Sequence, residues 1–418
     1  MRKLFSLSLL TLASASMFAG GYRVGIQGQK QLAMGHTGVA VVNSAEVAFF
    51  NPAGMSFLDK KFNLSVGGSA LIAKTRFQNT LLNQQAATDN MGTPFSIYAT
   101  YRIADWVSAG LAVYTPYGSS VEWDKDWVGA HLVNNIDLKA IFIQPTISFK
   151  IEDKFSIGGG PIFVQGSVNF NRNITPNPLL GGTDVTLDAK GISATGYNVG
   201  MMFKLTDEIT LGADYRSEII MEARGGSAKY DRNAIADLNP AFTDGTFSAD
   251  LPLPAEMTAG ISYKPNNKWL FAFDYNYTKW SAYEALDITI YNENPTPVVS
   301  KNPRNYSDVS SFRIGAQYQA TKKITVRGGY YIDESPVEQG YFAPETPRND
   351  STGYTGGLTY QLNDRFGVDF SFLYLHFDEV DNSYDYYDDP LTTTGNSSFG
   401  GTYKSVVFSP GIGITYGF

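Results

Sequence analysis

The chain of 418 residues has no cysteine, so nothing in it depends on disulfides or thiol ligands. Histidine is nearly absent, with His36, His131 and His376 the full set. None stands in a visible pairing with a serine, and no Gly-x-Ser-x-Gly elbow occurs. No His or carboxylate spacing resembles a metal site. An enzyme is therefore not expected, and no cofactor or metal is called for. Positive charge is in deficit, with 32 Lys and Arg against 40 Asp and Glu, and a net charge of −8 argues against nucleic acid as a partner. After the first twenty residues no apolar run approaches the roughly eighteen that mark a membrane helix. Averaged hydropathy would suggest a soluble protein, but alternating strands hide membrane character from averages.

What is present points to strands. Tyr and Phe number 26 and 27, against five Trp, and Gly numbers 41. Residues 403–418, YKSVVFSPGIGITYGF, split into two faces. Even positions carry Val406, Phe408, Pro410, Ile412, Ile414, Tyr416 and Phe418; odd positions are small and mostly polar. Successive strand side chains point to opposite sides, so this segment suits lipid on one side and a crowded interior on the other. The terminal Phe418 resembles the closing strand of outer-membrane barrels. At the other end, Arg2 and Lys3 precede an apolar run over 4–12 and a small-residue stretch, a secretory signal peptide over 1–19. Its removal takes the net charge from −8 to −10. Together the two ends predict a protein of the outer membrane of a Gram-negative bacterium.

Six short polar turns, at 104–105, 152–153, 206–208, 265–267, 321–323 and 363–364, each precede an apolar or aromatic strand start. Seven longer polar or irregular stretches alternate with them, near 78–92, 118–135, 171–190, 224–248, 284–307, 334–350 and 379–401. These connections predict an all-β fold, a 14-stranded antiparallel transmembrane β-barrel over 60–418. Its inward charges should be Asp214, Arg216, Glu218, Asp274, Arg313, Arg327 and Asp369, either as an interior network or as ligand contacts. A Lys or Arg facing lipid at midplane costs roughly 2–4 kcal/mol, which fixes the register.

Residues 20–59 sustain no strand alternation, are poor in charge and end in Asn51-Pro52-Ala53-Gly54-Met55. Too apolar for disorder, they are expected to fill the lumen as a plug. Pro52 pushes Asn51 away from the helical region and favours a turn. The opening GYRVGIQGQKQLAMGHTGVAVVNSAEVAFFNPAGM resembles the mature start of the long-chain fatty-acid transporter (FadL) family. So do YRSE at 215–218, LPLPAEMTAGISY at 251–263, DYNYTKWSAYEAL at 274–286 and VRGGYYIDESPV at 326–337.

That resemblance implies a glycine-rich plug, or hatch, closed by Asn51, Pro52 and Ala53. It also implies capture of a hydrophobic ligand outside, an internal pocket, and lateral exit into the membrane at a kinked third strand. Pro116 and Gly118 interrupt that strand, marking either the kink or simply the strand's upper end. By alignment Arg172 faces the ligand carboxylate, with Thr115 and Tyr22 nearby; otherwise Arg172 is a solvated loop residue. A family lysine expected near Val309 has no evident counterpart, leaving room for neutral hydrocarbons. Residues 224–248, with Ile235, Leu238, Ala241 and Phe242, are candidates for the capture groove. The expected function is thus passive diffusion of long-chain fatty acids or similar hydrophobic compounds by a monomer in contact with outer-membrane lipid. The alternatives are an uptake channel for aromatic or alkane hydrocarbons, or a general porin. Residues 378–389 are acidic and would serve as a calcium loop or, more plainly, a solvated tip.

Overall fold

A computed structural model describes residues 21–79, 83–124, 127–174, 183–234, 236–388 and 396–418. The signal peptide and Ile235 lie outside the described residues. Strand segments pair into one closed antiparallel ring of fourteen staves. The first stave is β1 (Phe62–Ser69) with β2 (Leu71–Asn79), and the second is β3 (Gln84–Gly92) with β4 (Phe95–Ala104). The third to sixth are unbroken: β5 (Val107–Glu122), β6 (Asn135–Glu152), β7 (Phe155–Asn173) and β8 (Asp184–Lys204). The seventh joins β9 (Ile209–Arg216) to β10 (Ile219–Asp231), and the eighth joins β11 (Gly245–Leu253) to β12 (Glu256–Tyr263). The ninth is β13 (Trp269–Thr278), beyond which β14 (Ile288–Tyr291) and β15 (Val298–Ser300) form a hairpin beside β11. Next come β16 (Val309–Gln319), β17 (Ile324–Asp333) and β18 (Ser351–Gln361). The thirteenth stave is β19 (Phe366–Phe377) with β20 (Val380–Asp388), and β21 (Asn396–Gly417) closes the ring on β1.

The two-face rule holds along the wall. Ile412, Ile414 and Phe418 are exposed while Val407, Ser409 and Gly413 are buried. Likewise Phe366, Phe370 and Phe372 face out, with Asp369 and Ser371 buried. The six short turns join staves where expected. The long stretches, however, are not mainly loops. Residues 84–92, 184–190, 245–248 and 380–388 are strand. Their polar sequence hid them, because a stave that projects beyond the lipid has no need of an apolar outer face. Residues 334–350 fold against the interior, with Phe342 and Ala343 buried. Glu218 is exposed rather than inward, since it sits at the break between β9 and β10, where Ser217 N–H bonds the Tyr197 carbonyl.

Residues 21–58 are mostly buried, and their hydrogen bonds reach staves all round the ring. Gln29 Nε2 donates to Ser69 Oγ (3.3 Å) and Gly35 N–H to Thr355 Oγ1 (2.8 Å). Asp274 Oδ2 accepts from the N–H groups of Gly38 (2.7 Å) and Val39 (3.0 Å). Arg216 donates to the Phe49 carbonyl (3.1 Å), and Arg313 lies 2.8 Å from His36 Nδ1. Burial and the Arg313 charge push the His36 imidazole well below its usual range, so it stays neutral. Arg216, Asp274 and Arg313 thus hold this segment, while Asp214, Arg327 and Asp369 bond to neighbouring wall side chains.

Asn51 is extended (φ −166°) and caps the turn Pro52–Phe57, its Oδ1 accepting from Ala53 N–H at 3.2 Å. Its Nδ2 donates to the carbonyls of Val39 (2.8 Å) and Met201 (2.9 Å). The Ala53 carbonyl accepts from Ser148 (2.9 Å) and Ser156 (2.8 Å). This approach needs glycine on the wall: a Cβ at Gly200 would lie 2.2 Å from Asn51 Oδ1.

Candidate ligand passage

The third stave departs from regular pairing at Pro116. Against β6 its register shifts between Tyr114 and Tyr117, a bulge at the residue that has no N–H to give the ladder. Against β4 its pairing stops at Ser96↔Tyr114. Above that point β3 pairs with β2, and among the described residues it shares no register with β5. Two side-chain links span the seam. Thr115 Oγ1 exchanges long hydrogen bonds with the Phe95 backbone (3.4 and 3.5 Å), and Thr88 Oγ1 donates to the Glu122 carbonyl (2.6 Å).

The free edge between these links is taken by the N-terminal segment. Val24 N–H donates to the Pro116 carbonyl (2.8 Å) and Gly118 N–H to the Tyr22 carbonyl (3.1 Å), with Arg23 and Tyr117 forming an antiparallel bridge. Both side chains of that bridge reach Glu256, Arg23 Nη1 at 3.0 Å and the Tyr117 hydroxyl at 2.9 Å. Gln27 adds a bond to the Thr115 carbonyl (3.1 Å).

Cavities follow this seam inward and upward. A chamber of about 330 Å³ lies behind it, lined by Val24, Phe95, Thr115, Tyr117, Ser119 and Arg348 among others. Ser119 and Leu138 also line a second cavity of about 80 Å³, whose other walls are almost wholly apolar, including Val168, Leu187, Met221 and Phe247. Tyr22 stands over this second cavity. It is 2% exposed, its hydroxyl donates to the Pro252 carbonyl, and Trp280 (4.9 Å) and Tyr283 (5.5 Å) meet it edge-on. Two residues further along β7, β8 and β14, the inward positions Arg172, Val185 and Ile290 line a third cavity of about 160 Å³.

The three residues predicted to bind ligand therefore stand in three neighbouring spaces: Thr115 at the seam, Tyr22 over the apolar cavity, Arg172 beyond it. Arg172 is not in an irregular loop; it pairs with Val185 in the ladder, and its Nη2 donates to Ser300 Oγ at 3.0 Å. Pro116 and Gly118 lie at the seam, while Asn51 and Ala53 dock on the adjoining wall formed by β6, β7 and β8, beside Pro52. Sequence reasoning missed Arg304 and Glu345, a buried ion pair at 6% and 8% side-chain exposure. Among the described residues Glu345 is the one carboxylate lining the apolar cavity. Burial disfavours the Arg304 charge, but Glu345 and nearby tyrosines outweigh it and hold the guanidinium well above its usual range. It also missed Arg348. Both acid and arginine sit in the stretch read as an outer loop; the apolar Phe342 and Ala343 within it were the available signal.

A closed ring with an aromatic, apolar exterior and a chain of internal cavities defines an outer-membrane β-barrel transport protein. The chain belongs to the family described as outer membrane protein transport protein (OMPP1/FadL/TodX), whose model matches residues 10–418. It is 22% identical to outer membrane protein P1 of Haemophilus influenzae, over 94% of this chain and 96% of that one. It is 20% identical to the long-chain fatty acid transport protein of Escherichia coli K12, over 91% and 94% of the two chains. Among solved structures, a FadL homologue of Pseudomonas aeruginosa matches with a TM-score of 0.81 at 20% identity, covering 96% of this chain and 100% of that one. The toluene transporter TbuX of Ralstonia pickettii matches at 0.68 and 18% identity, covering 94% and 99%.

Proposed function

We propose that the protein carries hydrophobic small molecules, long-chain fatty acids or aromatic hydrocarbons, across the outer membrane by passive diffusion. In this reading residues 20–59 are the plug. Ligand enters by the Arg172 cavity, crosses the apolar cavity under Tyr22, reaches the chamber at Pro116 and Gly118, and leaves sideways between the second and third staves. The observation that carries the reading is the seam itself: the third stave's free edge is bonded to the N-terminal segment and not to its neighbour in the wall. Movement of that segment would open a path from an apolar cavity to lipid.

The absence of cysteine supplies the test. Arg23 and Tyr117 face each other as a non-hydrogen-bonded pair, the arrangement in which Cα atoms lie roughly 4.5 Å apart, within disulfide reach. The double variant Arg23→Cys, Tyr117→Cys locks the segment to the stave when oxidised. Uptake of oleate and of toluene into liposomes should stop on oxidation and return on reduction. Equal uptake in both redox states would refute exit through this seam.

A further inference from the structure

Most arginines along the passage already have acidic partners. Arg23 pairs with Glu256 (3.0 Å) and Asp333 (3.8 Å), Arg304 with Glu345, and Arg313 with Asp333 (3.5 Å). Arg348 does not. Among the described residues it has no carboxylate within ion-pair distance, and its guanidinium makes one long bond, to the Gly21 carbonyl at 3.5 Å. It is nevertheless half-buried, and burial alone lowers its pKa, with no acidic group acting against it. A charge withdrawn from water without a counter-ion is unfavourable unless something else supplies one.

Its position says what that something is. Arg348 lines both the chamber behind the seam and the smaller cavity bounded by Arg23, Trp280 and Asp333. The other two charges of the chamber, Asp137 and Lys139, neutralise each other at 2.6 Å. The acids of the smaller cavity are also engaged, Asp333 by Arg23 and Arg313 and Glu334 by the Ser310 N–H. The loop that presents Arg348 is tied down on both sides, Ser119 Oγ donating to the Glu345 carbonyl (3.2 Å), Trp123 Nε1 to that of Pro344 (3.2 Å) and Ser405 Oγ to that of Pro347 (2.8 Å). A fixed guanidinium facing a chamber that opens, past Ser119 and Leu138, into an apolar cavity matches an anion with a hydrocarbon tail.

We propose that Arg348 binds the carboxylate of an acyl ligand in the chamber behind the third-stave seam, the last polar station before the membrane. This rests on the transport reading above and deepens it, since Arg172 and Arg348 then stand at opposite ends of the apolar cavity.

The test uses the full chain in detergent and two ligands of equal tail, decanoate and decanol, measured by equilibrium binding. Arg348→Gln keeps a donor for the Gly21 carbonyl and Arg348→Met removes it; both should weaken decanoate by at least about tenfold and leave decanol within about twofold, as loss of one charge-assisted contact predicts. Unchanged decanoate binding in either folded variant overturns the assignment. So does equal loss of both ligands, which would make Arg348 a packing residue. If the wild-type chain bound neither compound, the transport reading would fall with it; if it bound both and the variants changed nothing, only the role of Arg348 would fall.

Discussion

Replacing Asn51 by Ala should release the N-terminal segment from the wall. The side chain is fully buried and makes three hydrogen bonds, to Val39 O, Met201 O and Ala53 N–H. Each is worth about 1 kcal/mol net. The two carbonyls are acceptors with further lone pairs, but the Ala53 N–H at the start of a 3₁₀ turn is left without a partner, so losing that bond costs about 1–3 kcal/mol instead. The total, about 3–5 kcal/mol, acts on docking of the segment and not on the staves, whose ladders Asn51 does not join. At 1.4 kcal/mol per factor of ten, the undocked population rises by about two to three orders of magnitude. Hydrogen exchange of amides in 33–58 should accelerate by that factor, while amides of β6 to β8 keep their protection. Single-channel recordings should show brief openings where the unaltered chain is closed. Unchanged exchange in 33–58 would refute the idea that this asparagine is the segment's anchor.

Two further predictions concern the same contact surface. Gly200→Ala places a methyl 2.2 Å from Asn51 Oδ1 and should loosen docking by about 1–3 kcal/mol, the usual range for overpacking, read by the same exchange measurement. Glu46 is buried, and burial together with the Asp369 charge raises its carboxyl from 4.5 to about 7, against the opposing pull of Lys30 and two backbone N–H groups; Arg327 also faces it. A carboxyl raised on folding stabilises the docked state fully below about pH 4.5, and that contribution is lost as pH rises through about 7. Docking should therefore weaken by up to about 3 kcal/mol from pH 4.5 to pH 8. Glu46→Gln should flatten the profile, and protease cleavage of the segment at the two pH values gives the readout.

The wall was legible because lipid imposes period two. Phe366, Phe370 and Phe372 alternate with Asp369 and Ser371, the pattern of a strand with lipid on one face. The same logic failed wherever lipid ends. β3 and β20 carry Gln, Asn, Asp and Tyr on both faces, so they read as loops although they are paired strands. Pro116 was legible as an interruption, since proline has no donor for the ladder. Its partner was not: nothing in a linear sequence says that Val24 and Tyr22 supply the bonds at that edge. For the same reason Arg304, Glu345 and Arg348 escaped notice. Their role depends on a connection folding against the interior, and charge on a polar stretch ordinarily signals solvent.

The energetics of the ring also choose where it can open. The seam between β5 and β6 runs in register from Val107↔Phe149 to Glu122↔Asn135, interrupted only at the bulge. Parting it breaks a hydrogen bond for nearly every second residue on each side, at about 1 kcal/mol or more apiece where no water replaces them. At the upper half of the seam between the second and third staves, that ladder is already absent. What holds it instead is the Val24 and Gly118 bonds, the Gln27 side-chain bond, the Thr115 and Thr88 links, the Arg23 bond to Glu256, the Tyr22 bond to Pro252, and the ring contacts of Tyr22 with Trp280 and Tyr283. On the proposed route a ligand entering the apolar cavity would push on Tyr22, which both lines that cavity and accepts the Gly118 N–H bond. On that route, burial of a ten-carbon chain returns about 0.8 kcal/mol per methylene, which offsets part of the loss of those contacts.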